Sequence, residues 1–448
     1  MAQPPSPHVV PVVTVQPTIG EVVEDVKNGL VPSDKFWVSV YKAGEPSIHT
    51  KINIELDEKD RDLVRFVCED GGVVFEPDGR DDKSFRLCSR LSEAKVLSPS
   101  QEYSDGKTAN PPNPKRIEGF DVSPDASRFA TGYLDGSVHI YPTSAIVSPI
   151  GFLAQRIAFN GPKVFSRPHS SAVTSLRFFP SSRVLLTSGL DFALSIVPAD
   201  LPDMPAGATA QTVAPARVLR GHKRSVTSTA IFGVGRNILS SSLDRTVKLW
   251  DVPSGETIST MFATSAVLST STGQRESPIS NAPSDEKEVP EVGSNVVFAG
   301  LLDGTFELFD LATKMSAHRS QPPPQPQRLT SIAYSPSHHT LATGSNTGLV
   351  SIYDVRSLDT PVSSFVRQDG EVLDLAAFSS GNKSLGLVVA TSDGLPYVAR
   401  VASDGRVQAD ELIGVDCDPV RNVRVLSGSD IWMSSDDSVV RRYAYLSD

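Results

Sequence analysis

Cysteine is scarce in this 448-residue chain: Cys68, Cys88 and Cys417 are odd in number, far apart, and form no C-x-x-C pair. That argues against a disulfide framework and a cysteine zinc site, and suits a reducing compartment. No apolar run approaches the roughly 20 residues of a spanning helix. The N-terminal stretch MAQPPSPHVVPVVTVQP has prolines and no basic n-region, so it does not read as a signal peptide. Positive charge is in deficit, with a formal net charge of −10. Such a field repels nucleic acid and anionic lipid and suits a basic protein partner. The doublets Lys223–Arg224 and Arg441–Arg442 are too short to reverse it. Also missing are a G-x-S-x-G elbow, an H-E-x-x-H pair, a phosphate-cradling glycine loop and clustered His/Cys ligands. The chain therefore reads as soluble, intracellular and non-enzymatic, with no metal and no cofactor.

What is present is a repeat. ILSSSLDRTVKLWD (Ile238–Asp251) holds a β-rich run, a tight turn at Asp244 and an alternating strand ending in Trp250–Asp251. The phrase recurs as FATGYLDGSVHIY, LLTSGLDFALSIV and VFAGLLDGTFELFD, and more weakly as LATGSNTGLVSIYD, VVATSDGLPYVA and MSSDDSVVRRY. The seven anchors, residues 135, 191, 244, 303, 347, 393 and 437, are 44–59 residues apart. About 40–45 residues make one four-stranded WD-repeat blade, so each step is one blade with loops of varying size. The predicted fold is all-β: a seven-bladed WD-repeat β-propeller with a small β-rich N-terminal extension.

In the best blade His222, Ser240, Asp244 and Trp250 are spaced for the hydrogen-bond network that ties the inner turn to the third strand. A second blade keeps His169, Thr187 and Asp191, with Val197 where Trp would stand. These sets resemble catalytic triads, but a spacing that recurs from blade to blade is structural. Most blades have 18 residues from the first inner-strand residue to the anchor; Val267 to Asp303 spans 36. The excess, within 271–293, is Ser/Pro/Glu-rich and reads as a disordered, dispensable loop on the face opposite the Asp turns.

Before residue 100 nothing repeats. Trp37–Tyr41, Ser47–Leu56, Leu63–Cys68 and Gly72–Pro77 alternate at period two and predict a β-rich extension over 1–100, with the propeller over 101–448. The last blade ends near Leu446 with its third strand, so its outer strand must come from upstream. Phe85–Leu91 or Ala94–Ser98 is expected to close the ring and remove the exposed edge.

Several stretches resemble the proteasomal ATPase-associated factor family of WD-repeat assembly chaperones. They are Gly221–Asp251, Leu412–Val423 (LIGVDCDPVRNV), the closing VVRRY (Val439–Tyr443), Arg177–Ile196 and Trp37–Ser47. The GH…WD part is generic; D-C-D-P-V followed by V-R-R-Y is far more specific. The resemblance implies binding of the C-terminal helical domain of one proteasomal ATPase (regulatory subunit 8 type) during assembly of the regulatory-particle base. It also implies a monomer when free, found in cytoplasm and nucleus. Contacts would come from charged residues on one propeller face. Inter-blade turns and Asp turns open on the same face. They place Asp369, Glu371, Asp416 and Asp418 there beside Arg220, Lys223, Arg224 and Arg245. Two other readings remain. Tyr353-Asp354-Val355-Arg356 resembles the W-D-x-R element of cullin-ligase substrate receptors, and a propeller can also serve as a general scaffold.

Overall fold

Seven times the repeated phrase folds into the same unit, an antiparallel sheet whose first strand lines a central channel. Blade 3 is representative: Val226–Phe232, Asn237–Ser242, Thr246–Asp251 and Glu256–Phe262 pair in order. All six residues of Asn237–Ser242 are buried, because neighbouring blades cover both faces of the strand. The computed structural model describes residues 7–445 except 58, 61–62, 70–71, 79–82, 110–111, 147–150, 204–209, 276–284, 381–383, 403 and 427–429. Every innermost strand carries a register shift just after its first residue, as between Val226 and Ser228. A bulge bends and twists the strand there, at the rim of the channel.

Ring closure differs from the expectation. The outer strand of blade 7 is Gln101–Asp105, antiparallel to Val440–Ala444 with Tyr103 opposite Val440. Neither Phe85–Leu91 nor Ala94–Ser98 does this. Tyr103 fits the position because its ring lies 5.6 Å from Trp432 and 5.2 Å from Phe129, in the seam between blades 7 and 1. Strands Ser84–Ser89 and Glu93–Leu97 instead extend blade 6, where Val96 pairs in parallel with Glu411. Their apolar residues Phe85, Leu87, Ala94 and Val96 face the N-terminal core, which decides where they go.

That core lies between two sheets. One is Val12–Val15, Ser33–Tyr41, Ile48–Leu56 and Val64–Cys68; the other is Val73–Pro77 with the two strands just named. A helix, Ile19–Lys27, buries Ile19, Val22, Val23 and Val26 against them. Their i, i+3, i+4, i+7 spacing was a readable helix signal that the strand-only expectation passed over. Upstream, His8–Val9 adds in parallel to the outer strand of blade 5.

The blade-4 insertion is more ordered than expected. Ser271–Gln274 complete the inner strand Val267–Gln274. Residues 276–284 lie outside the described residues. Beyond them Val292 is fully buried, Val289 N–H donates to Asn237 (2.7 Å), and Lys314 pairs with Glu288 (2.6 Å). Removing 276–284 alone is therefore expected to leave the melting temperature nearly unchanged, since loop length costs stability only slowly. A deletion running on through Val292 also loses a buried valine and is expected to cost ~1–3 kcal/mol. Thermal melts of the two deletions separate these outcomes.

Candidate protein-interaction face

The Asp turns and inter-blade turns meet on one face, held by the network the repeat implies. His222 Nδ1 lies 3.0 Å from Asp244 and Nε2 2.7 Å from Ser240, whose Oγ also accepts from Trp250 Nε1 (2.8 Å). His169 lies 2.9 Å from Asp191 and 2.8 Å from Thr187. Burial holds both imidazoles below the usual histidine value, so they are neutral at pH 7. Burial alone would raise the Asp244 carboxyl. Donors from Thr246, Lys223 N–H and His222 outweigh it and keep the group below the ordinary range. In blades 4 and 7, arginine takes the histidine's place: Arg319 reaches Asp303 at 2.8 Å and Arg441 reaches Asp437 at 2.6 Å. No fixed spacing announces those substitutes.

Asp244→Ala leaves His222 and the Lys223 amide without their acceptor and is expected to cost ~1–3 kcal/mol, read as a lower melting temperature. Acid acts the same way. Histidines whose values fall on folding lose stability as pH drops below the ordinary 6.5, and the depressed aspartates lose more as pH falls through their own values.

Around blades 5 to 7 the face is acidic and continuous. The turn bearing Asp369 and Glu371 abuts Asp393, whose carboxylate would stand 2.9 Å from a Cβ at Gly370. A Cβ at Gly394 would stand 2.4 Å from the Cys417 carbonyl carbon, so the next Asp turn touches the Asp416–Asp418 turn. Asp369 and Asp416 are exposed and Asp418 is half-buried. Burial, then the charges of Asp437 and Asp436, push the Asp418 carboxyl up. Among the described residues, neither Asp416 nor Asp418 makes a side-chain hydrogen bond or ion pair. Glu371 is different: Arg328 engages both its oxygens, at 3.2 and 3.3 Å.

The basic candidates stand elsewhere on the same face. Arg220, Lys223, Arg224 and Arg245 are all exposed, at blades 2 and 3. The face thus has two separate sectors of opposite charge where the sequence reading expected one mixed site. Away from both, Arg356 of the Tyr353–Arg356 tetrapeptide folds back on Asp354, pulling that carboxyl down to about 2.

The WD domain, G-beta repeat family matches residues 162–196, 214–251 and 313–354, which fall in blades 1–2, 2–3 and 4–5. The chain is 24% identical over 230 residues to pre-mRNA-processing factor 19 homolog 2 of Arabidopsis thaliana, covering 51% of this chain and 38% of that protein. It is 23% identical over 298 residues to ribosome biogenesis protein ytm1 of Aspergillus niger (61% and 56%). It is 28% identical over 236 residues to 26S proteasome regulatory subunit RPN14 of Saccharomyces cerevisiae (50% and 52%). The chain spans between 38% and 56% of the length of these relatives. The fold is that of a WD-repeat β-propeller, an architecture for protein–protein contact, and no helix among the described residues is long and apolar enough to cross a membrane.

Proposed function

We propose that this WD-repeat propeller is a non-catalytic assembly chaperone of the proteasome regulatory-particle base, which binds the C-terminal helical domain of one ATPase subunit through its acidic sector. The observation that carries this reading is the pair Asp416 and Asp418. Among the described residues neither makes a side-chain hydrogen bond or ion pair, with Arg441 acting on Asp418 only through space, and they sit in the D-C-D-P-V turn that carries the specific part of the family resemblance. Like charges crowded on a turn are held at a cost to the fold, and a basic partner relieves that cost on docking. The likeness to a 26S proteasome regulatory subunit supports the same partner class. The sector needs no bound metal or reacting group for this role; its work is to hold one orientation of a partner. Titration of the recombinant ATPase C-terminal domain into the full chain tests it: saturable binding that weakens with salt is expected. A general scaffold role in another assembly, favoured by the likeness to a ribosome biogenesis protein, would leave that domain unbound.

A further inference from the structure

Each of the seven turn anchors, Thr347 in blade 5 and aspartate in the other six, is followed by a residue with left-handed backbone. Four turns use glycine, at 136, 304, 348 and 394, and blade 7 uses the buried Ser438. Blades 2 and 3 use Phe192 (φ 68°) and Arg245 (φ 67°). A bulky side chain there is strained, and such strain persists where it serves a function. Packing does not compensate it: Phe192 is 44% exposed, and Arg245 is exposed. The two are not isolated. Arg220 pairs in register with Ala193, next to Phe192. Phe262, 75% exposed, pairs with Thr246, next to Arg245. Lys223 and Arg224 occupy the turn between. Among the described residues none of the four cations forms an ion pair.

We infer that this sector is a second docking site, for an acidic segment of a partner protein that carries a large apolar side chain. Phe192 and Phe262 supply apolar anchors, and three guanidinium groups and an ammonium supply donors for carboxylates; aromatic and arginine side chains dominate such contacts. Single-stranded nucleic acid uses similar residues. Here the net charge of −10 opposes a long polyanion, whereas a short acidic segment meets only the local cations. The site is separate from the acidic sector and does not depend on the partner assigned there.

The test is selection from a display library of random peptides on the immobilised full chain, with the consensus peptide then titrated in solution. Enriched sequences are expected to be acidic with Phe, Trp or Leu. Phe192→Gly, and separately Lys223→Glu with Arg224→Glu, is expected to weaken the consensus peptide at least about tenfold. Phe192→Gly gives the turn the residue four other blades use, so its melting temperature should hold or rise, which excludes unfolding as the cause. Asp416→Lys with Asp418→Lys should leave peptide binding unchanged, separating this site from the ATPase reading. No enrichment, enrichment without acidic bias, or equal affinity for the Phe192→Gly variant overturns the inference. So does oligouridylate binding that the same variants abolish while no acidic peptide is enriched.

Discussion

Asp416→Lys with Asp418→Lys is expected to weaken binding of the ATPase C-terminal domain more than about tenfold while the variant stays folded, since close interfacial charge pairs couple by ~1.5–7 kcal/mol. Among the described residues nothing depends on these carboxylates for a hydrogen bond. Asp418 is held above its ordinary value by burial and by Asp437 and Asp436. Its ionised form is therefore disfavoured by folding, a penalty present above its folded value and relieved as pH falls through it. Removing that charge, as in Asp418→Asn, should hold or raise the melting temperature at neutral pH even as partner binding falls. Salt should weaken the wild-type complex, chiefly through slower association, because exposed charges are screened beyond about 8 Å at physiological ionic strength. Glu371 makes a poorer probe. Its reversal turns the Arg328 ion pair into a repulsion, so Asp369→Lys alone is the cleaner variant for the neighbouring turn. Folded Asp416/Asp418 reversals that bind as tightly as wild type at low and high salt contradict the electrostatic reading.

Arg367→Ala is expected to destabilise the protein by ~3–5 kcal/mol, the range for removing one partner of a buried ion pair. Arg367 and Glu411 are nearly inaccessible, with 5% and 4% of their side chains exposed. They also anchor the chain's start. Glu411 accepts from Val13 N–H at 3.0 Å, Arg367 Nε donates to the Pro11 carbonyl at 3.2 Å, and the guanidinium lies 4.4 Å from the Tyr397 ring centroid. Alanine leaves the Glu411 carboxyl, which burial already pushes up, without its counter-charge in the seam between blades 5 and 6, and it loosens Val10–Val13. Hydrogen exchange should therefore accelerate first at Val10 and Val13, whose amides bond Val366 and Glu411. Replacing both partners with apolar residues of similar volume should recover much of the loss. A single variant within ~1 kcal/mol of wild type would show that solvent already reaches the pair.

The blades were legible because each repeats a local pattern: a β-rich run, an Asp turn and an alternating strand. The closing strand was not. Gln101–Asp105 reads QEYSD, and two of its three buried residues are polar. Asp105 accepts from the Lys107 amide (2.9 Å) and from Tyr141 of blade 1 (2.7 Å), and Gln101 bonds Tyr103, Arg442, Gln155 and loop carbonyls, most of them more than 35 residues away. A search for apolar alternation therefore settled on Phe85 and Val96, which serve the N-terminal core. The candidate charges could be named from turn positions. That Asp369, Asp393, Asp416 and Asp418 form one arc, with the basic sector separate, required the ring to bring turns from blades 5 to 7 together. Arg328 and Glu371 are 43 residues apart, and no short-range pattern links them. Phe192 was readable in principle, since LDFA departs from the glycine that follows the anchor in blades 1, 4, 5 and 6, but its left-handed backbone gives the departure its meaning.

The most direct measurement is affinity purification of the tagged full chain from its native cells, with quantitation of co-purifying proteins. Free ATPase subunits of the regulatory-particle base are expected, enriched over the proteolytic core, and lost with Asp416→Lys and Asp418→Lys. Recovery of a ligase adaptor or of ribosome-assembly factors, with no ATPase subunit above background, would contradict the assembly-chaperone function.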